Sequence, residues 1–343
     1  MERESLKKIL LTIFPRKMGE SLIIHLGRWL WYVKDLIDKP RNTSRQREFL
    51  RSFYNTTNPV AHNKEKIVIF MCDEKVMHGG LSDRLQGLVS TYKICKEANI
   101  QFCAYFVSPF PLENYLQPNH YNWTIKTDDI SYNSNDSIAE CLYRNDKYKW
   151  LKNLLLTSSY KQIHLYTNAV YTTKETFSHY FNELFKLTPV LQQQINEHYK
   201  EIGRKYVALT FRFQNLMGDF KDGDCRPLSR EEQVYLLKKC VEEILKIKKL
   251  YPDFPKFLIT SDSVTLLEKI KNMPFVYIIP GSVTHTDNIS DYNDNAHFKT
   301  FVDFFMLSKA QKVICMRTGP MFKAGFPRTA ASVNNVPFEY HQF

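Results

Sequence analysis

The segment His78–Leu88, with the sequence HGGLSDRLQGL, constrains the fold of this 343-residue chain more than any other feature. It follows an apolar run, Ile67–Met71, and leads into residues with helical spacing, which predicts a strand, a turn and a helix. A Gly-Gly pair allows a tight turn and close approach of a ligand, because glycine has no Cβ. The spacing matches neither GxGxxG nor a P-loop, which argues against a generic dinucleotide or ATP site. An ordinary strand-to-helix turn with a paired Asp83 and Arg84 explains the segment equally well.

Composition limits the class of protein. Hydrophobic residues make up 43% of the chain and charged residues 24%, which is typical of a folded globular protein. A chain of 343 residues can form one large core or, more comfortably, two domains of ordinary size. The net charge of +11 is compatible with nucleic acid, an anionic membrane surface or an anionic substrate. The lysines are scattered and no nucleic-acid-binding motif occurs, so we expect no nucleic-acid partner. Seven cysteines without a CxxC pair indicate reduced core residues, and the histidines are not spaced as zinc ligands.

The N-terminal region, residues 1–38, is basic and contains the apolar stretch Leu22–Val33. His25 and Arg28 interrupt this stretch, which is too short and too polar to span a membrane. A signal-peptide cleavage region is also missing. The reduced cysteines indicate a reducing compartment, so we expect a cytoplasmic protein of bacterial type. Two interpretations stay open: a helix packed on the domain, and an interfacial helix that gives peripheral contact with the inner face of the plasma membrane.

From residue 66 onward, segments typical of strands and helices alternate, which predicts parallel sheets built from right-handed βαβ units. We therefore expect an α/β fold of two Rossmann-like, doubly wound domains facing a cleft, preceded by a helical extension. The predicted domain boundaries are 1–62, 63–200 and 201–343. Predicted strands are 67–71, 102–107, 163–166, 206–213, 256–262, 276–279 and 312–316, and predicted helices 84–98, 174–200, 230–250, 263–271, 298–309 and 320–334.

Polar residues follow several of these strands, at the sheet edge where ligands bind in such folds. Arg212 ends an otherwise apolar strand, where a guanidinium can hold a diphosphate through two hydrogen bonds. Asp262 precedes a helix and is either its cap or an acceptor for a ribose or base. Thr318 and Gly319 offer a hydroxyl and amides to phosphate oxygens. Each residue alone is more typical of structure than of function, but together they favour a nucleoside diphosphate site.

Three motifs bear a resemblance to a known family. The segment Thr210–Asn215 occupies the place of a His-x-Arg-Arg-x-Asp motif, and Ile259–Leu267 resembles a strand ending in Thr-(Ser/Asp)-Asp before a helix. The segment Phe301–Gly319 resembles an Asp-x-x-x-Leu-Ser-x-Ala helix followed by a strand and a polar turn. With the glycine turn at His78–Leu88, the chain resembles the GT-B fucosyltransferases, which include α-1,2-, core α-1,6- and protein O-fucosyltransferases. The matches keep their order and frame residues 66–334.

The resemblance implies a GT-B fold, GDP-fucose as donor substrate, transfer with inversion and no obligatory metal or other cofactor. Carried over by position, Arg212 contacts the diphosphate and acts in catalysis, and Asp262 recognises the nucleoside. Asp303 orients the site, while Thr318 and Gly319 contact a phosphate. The remaining donor-side residues are Thr210 and Ser261, and the cleft wall on the acceptor side is formed by His78, Gly79, Gly80 and Arg84.

The first motif departs from the family pattern. Thr210, Phe213 and Asn215 stand where the family has histidine, the second arginine and aspartate, so a single motif arginine is retained. This departure leaves the identity of the sugar nucleotide open. We hypothesise that Arg317 or Arg328 supplies the missing positive charge.

Inverting transfer needs a general base, which contributes roughly 10²- to 10⁴-fold to the rate. The base candidates are the loop carboxylates Asp219, Asp222 and Asp224, and the resemblance places the base at this distance after the arginine, which favours Asp219. Two other interpretations stay open: these residues form turns, or Asp222 and Asp224 bind a metal, which the resemblance disfavours.

The sequence therefore predicts an inverting glycosyltransferase that moves fucose from GDP-fucose onto a glycan or lipid-linked oligosaccharide in surface-polysaccharide biosynthesis. Two alternatives are kept: a glycosyltransferase that uses another nucleotide sugar, and a non-catalytic carbohydrate- or membrane-binding protein of the same fold.

Overall fold

The structure, a computed structural model, describes residues 44–143, 145–220, 225–281 and 294–343. Residues Tyr54–Phe343 form one compact unit, and the helical residues 44–51 belong to the unit before it. The apolar stretch Leu22–Val33 lies outside the described residues. Within the described ranges, no helix combines the length and apolar character needed to cross a bilayer.

The first half of the compact unit contains a four-stranded parallel sheet in the order β2-β1-β5-β4. All six residues of β1 are buried, as expected for a strand of a parallel sheet covered on both faces. The predicted strands at 67, 102 and 163 are confirmed, whereas β4 and α2 have no counterpart in the sequence prediction. The elements are β1 (Ile67–Cys72), α1 (Leu81–Ala98), β2 (Gln101–Phe106), β3 (Leu116–Pro118), β4 (Ser137–Leu142), α2 (Tyr148–Thr157) and β5 (Gln162–Thr167).

The second half contains a five-stranded parallel sheet in the order β11-β10-β7-β8-β9. Both sheets belong to the same compact unit, and the domain boundaries at 62 and 200 stay a prediction. Three elements after β5 still belong to the first half, because β6 pairs with β3 and α3 packs against α1: α3 (Lys174–Leu184), β6 (Phe185–Leu187) and α4 (Pro189–Ile202). The elements of the second half are β7 (Tyr206–Phe211), α5 (Arg230–Leu250), β8 (Lys256–Ser261), α6 (Val264–Ile270), β9 (Val276–Tyr277), α7 (Asp294–Ser308), β10 (Lys312–Arg317), α8 (Phe326–Val333) and β11 (Phe338–Gln342).

Two predicted helices differ from the structure. The single helix expected over 174–200 is two helices, α3 and α4, because the chain becomes extended in β6 and Pro189 opens the second helix. The helix expected from residue 320 begins only at Phe326, with a proline in its first turn. Residues 318–325 form a turn between β10 and α8, and this turn lies at the candidate site.

A continuous apolar core joins the two halves. Helix α8 packs against α1, α3 and α7, and the same core cluster includes residues of both sheets. Phe301 of α7 stacks on Tyr115 of the first half, with ring centroids 4.1 Å apart. Hydrogen bonds add to this packing, because Ser178 Oγ and Asn182 Nδ2 both donate to the Val333 carbonyl at 2.8 and 2.9 Å. The edges of the two sheets are thereby held around a common cavity.

Gly87 in α1 is a site where the structure requires glycine. A Cβ at this position would lie 2.1 Å from the Thr167 carbonyl oxygen at the end of β5. We expect Gly87→Ala to lower the free energy of unfolding by about 1–3 kcal/mol, because the helix must move away from the sheet. Urea denaturation of Gly87→Ala and Gly80→Ala measures this. Gly80 has a φ of −68° and open space at its Cβ position, so its substitution is the matched control. Equal stability of the two variants would contradict the close approach.

Candidate functional site

A cavity of about 510 Å³ lies between the turn after β1 and the carboxyl ends of β7 and β8. Two further segments complete its wall, one from α7 and one from the turn before α8. The lining residues are Gly79–Asp83, Thr210–Arg212, Gln214, Thr260–Asp262, Thr300, Asp303 and Phe322–Pro327. Ligands of parallel α/β sheets bind at this edge, so the cavity is the candidate site.

The cavity brings together most of the predicted donor-side residues. Thr210, Arg212, Ser261, Asp262 and Asp303 all line it, although they come from three separate elements. The predicted residues that are not part of the lining are His78, Arg84, Asp219, Thr318 and Gly319. No cluster of three or more His, Cys, Asp or Glu suited to a metal ion occurs among the described residues.

Asp262 fixes the end of β7. Its Oδ1 accepts a hydrogen bond from the amide of Phe213 at 2.8 Å, and its Oδ2 accepts one from the amide of Gln214 at 2.7 Å. Arg212 Nη1 lies 3.3 Å from the same Oδ2. Burial raises the pKa of Asp262, while the Arg212 charge and the two amides oppose that shift. The helix cap that the sequence suggested for Asp262 is instead Ser263, whose Oγ accepts from the Leu266 amide at 3.3 Å.

Arg212 presents its guanidinium at the cavity wall. Besides the ion pair with Asp262, the guanidinium lies 4.8 Å from the centroid of the Phe220 ring. Its side chain keeps 20% of its surface exposed, so the cation is held from two sides and remains accessible. Phe213, at the position of the family's second arginine, is fully buried and stacks on Phe211. That position therefore contributes to the core and supplies no charge.

Asp303 carries a carboxylate oxygen without a partner. The residue lies on α7, is 5% exposed and forms an ion pair with Lys299 one turn earlier through Oδ2. Its Oδ1 is buried and has no hydrogen-bond partner within the described part of the chain. Burial raises the pKa of Asp303, and the charge of Lys299 opposes the shift. A buried acceptor on a cavity wall costs free energy until a donor reaches it, which points to a ligand with an N–H or O–H group.

Asp219 supports the Ser263 cap of helix α6. Its Oδ2 accepts from Ser263 Oγ and from the Thr265 amide, both at 2.8 Å. These contacts place the carboxylate at the helix N-terminus and outside the cavity lining. The assignment of Asp219 as general base stays a prediction. The alternatives Asp222 and Asp224 lie outside the described residues.

The turn after β10 differs from the expected phosphate site. Thr318 is 4% exposed, and its hydroxyl donates to the Phe343 carbonyl. Arg317 Nε donates to the Met321 carbonyl at 3.0 Å, which shapes the turn. The phosphate contacts of Thr318 and Gly319 stay predictions. Lys323, which the motifs do not predict, lines the cavity.

The glycine turn forms the opposite wall. Arg84 is buried, and it donates from Nε to the Gly79 carbonyl and from Nη1 to the Ser108 carbonyl, both at 2.9 Å. Gly79 has a φ of +79°, and a Cβ there would lie 2.7 Å from Asp83 Oδ2. Glycine at this position gives the Asp83 carboxylate its space. Asp83 is exposed and lines the cavity, and the motif comparison does not single it out.

His78 is a buried neutral residue behind this wall. Its ring packs near Phe70 and Tyr166, with centroid distances of 5.6 and 6.1 Å. The carbonyls of Met71 and Thr167 lie nearby, but within the described residues neither ring nitrogen has a partner with hydrogen-bond geometry. Burial, followed by the charge of Arg84, lowers the pKa of His78 to about 3. His78 therefore supports the turn and does not exchange protons near neutral pH.

Comparison with known proteins adds the fold class. No protein-family model and no curated protein matches the sequence. Among solved structures, the fucosyltransferase NodZ from Bradyrhizobium is similar with a TM-score of 0.53 at 16% identity, covering 78% of this chain and 93% of NodZ. The NodZ α-1,6-fucosyltransferase soaked with GDP-fucose has a TM-score of 0.51 at 16% identity, with coverages of 79% and 93%. A mutant of Arabidopsis thaliana FUT1 in complex with GDP has a TM-score of 0.53 at 11% identity, with coverages of 89% and 78%.

These similarities show that the chain has the fold of the GT-B fucosyltransferases, and they confirm the resemblance that the sequence motifs predict. At such low identity they establish the fold alone.

The pH dependence of stability tests the environment of His78. The unfolded chain binds a proton at this residue below about pH 6.5, whereas the folded chain does not until about pH 3, so stability falls with decreasing pH between these values. The contribution is roughly 1.4 kcal/mol per pH unit. We expect His78→Phe to remove this contribution, so that its stability declines less than that of the wild type between pH 6.5 and 4.5.

Chemical denaturation at several pH values provides the measurement, and substitution of the exposed His179 by Gln is the control. Parallel curves for the wild type and His78→Phe would contradict the assignment.

Proposed function

We propose that the protein is an inverting glycosyltransferase that binds a nucleoside diphosphate sugar in the cavity, with GDP-fucose as the donor. The observation that carries this proposal is that one cavity contains both an accessible cation, Arg212, and a buried carboxylate oxygen of Asp303 that has no partner among the described residues. The first suits a diphosphate and the second suits the N–H groups of a base. The proposal also draws on the similar structures of NodZ soaked with GDP-fucose and of FUT1 in complex with GDP.

Arg212 is suited to stabilise the leaving diphosphate. When the bond between the sugar and the phosphate breaks, negative charge develops on the phosphate oxygens. A guanidinium that is already held in place, here by Asp262 and Phe220, needs little reorganisation to receive this charge. Its planar donors also match phosphate geometry. Asp262 therefore acts as a positioning residue for Arg212.

Asp303 favours guanine as the base. Guanine presents two adjacent donors, N1–H and the N2 amino group, whereas uracil presents one N–H between two carbonyl oxygens. A carboxylate oxygen accepts hydrogen bonds and is repelled by carbonyl oxygens. Binding of guanine would satisfy Asp303 Oδ1, which has no partner within the described residues.

Among the described residues, two carboxylates are candidates for the general base. The sequence resemblance supports Asp219, and the exposed position on the cavity wall supports Asp83. In either case the acceptor hydroxyl transfers its proton to the carboxylate as its oxygen bonds to C1 of the sugar. The bond from C1 to the phosphate oxygen breaks, and its electron pair leaves with the nucleoside diphosphate.

The proposed acceptor and setting are supported by the sequence alone. We propose a glycan or lipid-linked oligosaccharide acceptor in surface-polysaccharide biosynthesis, at a cytoplasmic location and without a cofactor. The net charge of +11 and the basic N-terminal region support contact with the membrane surface where such acceptors are assembled.

Nucleotide binding tests the proposed function directly. We expect GDP to raise the melting temperature more than UDP or CDP, because its base satisfies Asp303. At a concentration of 100 times Kd the stabilisation is roughly 2.7 kcal/mol. Stabilisation by UDP or CDP alone would identify another sugar nucleotide, and no response to any nucleotide would favour the non-catalytic alternative.

We expect Arg212→Ala to lose most of the rise in melting temperature that GDP causes, measured relative to the same variant without ligand. Arg226→Ala is the matched control, because this exposed arginine does not line the cavity. A full GDP response in Arg212→Ala would remove Arg212 from the diphosphate site.

The general base is tested by comparing Asp83→Asn with Asp219→Asn, using GDP release from GDP-fucose and calorimetric binding of GDP. Because Asp83 lines the cavity, we expect Asp83→Asn to slow GDP release roughly 10²- to 10⁴-fold with unchanged GDP affinity. For Asp219→Asn we expect a loss of stability of about 0.5–2 kcal/mol, from the weakened helix cap. Slow release in Asp219→Asn alone would make Asp219 the base.

A further inference from the structure

The cavity contains a second cationic side chain, Lys323, in the turn between β10 and α8. The amide of the preceding residue, Phe322, donates to the Arg212 carbonyl at 3.0 Å. This hydrogen bond ties the turn to the end of β7. Lys323 and Arg212 are therefore held on neighbouring segments of the same cavity wall.

The Lys323 ammonium is oriented without being neutralised. It lies 4.3 Å from the centroid of the Tyr340 ring and forms no ion pair within the described residues. The ring is fixed in turn, because Tyr340 Oη donates to the Ala324 carbonyl at 3.2 Å and the Phe338 ring packs against it in a T-shaped arrangement. An aromatic face attracts a cation but leaves its full charge and its N–H donors available to an anion.

The first motif of this chain lacks one of the two arginines of the family pattern. Phe213 occupies the position of the second motif arginine and is buried in the core. Neither Arg317 nor Arg328, the two replacements that the sequence suggests, lines the cavity, and Arg317 is bonded to the turn itself. Among the described residues of the cavity wall, Arg212 and Lys323 are the lysine and arginine side chains present.

We propose that Lys323 is the second diphosphate-binding cation of this site, held for that purpose by Tyr340. The proposal rests on the proposed function and deepens it, because it assigns the charge that the motif lacks to a different segment of the chain. Arg212 and Lys323 together would face the diphosphate of the donor, and the nucleoside would not contact Lys323.

The experiment compares binding of nucleoside and nucleotide by calorimetry. The wild type is first titrated with GDP, UDP and CDP, and the tightest binder is used with its own nucleoside, guanosine for GDP. Lys323→Met, which keeps side-chain length and removes the charge, should weaken nucleotide binding roughly 10- to 100-fold and leave nucleoside binding unchanged. Lys323→Arg should retain most of the affinity. Lys271→Met, at an exposed lysine paired with Glu268, is the control.

Salt dependence and the aromatic partner provide two further readouts. Nucleotide affinity of Lys323→Met should depend less steeply on salt concentration than that of the wild type. Tyr340→Leu should weaken nucleotide binding by a smaller factor, roughly 2- to 5-fold, because the charge remains and its orientation is lost.

The possible outcomes separate the two proposals. Wild-type binding of a nucleotide with unchanged affinity in Lys323→Met would overturn the role of Lys323 and leave the proposed function intact. Equal loss for nucleotide and nucleoside would also overturn it, since it would indicate a distorted cavity. Failure of the wild type to bind any nucleotide would overturn both proposals.

Discussion

The geometry of the cavity depends on the carboxylate of Asp262. This side chain sits at the end of β8 and binds two consecutive amides just after β7, together with the guanidinium of Arg212. Removing a carboxylate from water costs several kcal/mol, and the cation and the two amides offset that cost. One side chain therefore fixes the path of the strand end, and together with the Phe220 ring it holds Arg212. A ligand that meets Arg212 finds its cation already in position.

Several features of this arrangement could be predicted from the sequence. The apolar runs of β1, β7, β8 and β10 identify the strands, and their polar ends identify the sheet edge that carries the site. The partners of Asp262 could not be predicted, because they lie 48 and 49 residues earlier in the chain. The position of Lys323 on the cavity wall could not be predicted either. Periodicity predicts a helix from residue 320, whereas the helix begins only at Phe326 and Lys323 lies in the turn before it.

The two halves of the compact unit contribute different chemistry to the cavity. The first half supplies a wall with little steric bulk, in which Gly79 leaves space for Asp83. Arg84 stabilises the turn through hydrogen bonds to backbone carbonyls. The second half supplies the cations Arg212 and Lys323 and the buried acceptor of Asp303. This division supports the proposed function, in which a donor is held by charge on one side and an acceptor approaches over small residues on the other. The resemblance implies this arrangement in outline. It does not predict that Phe213 is buried in the core or that Lys323 lines the cavity.

Helix α8 has a consequence for how substrates enter and leave. It packs on helices of both halves, and side chains of α3 bond to its last carbonyl. Swinging the two sheets apart about a hinge would break these bonds and expose apolar surface at about 25 cal/mol per Å². Such interfaces resist rigid-body opening when they are large and apolar. A ligand is therefore expected to enter and leave with both sheets at rest, through motion of side chains that line the cavity, such as the exposed Phe322.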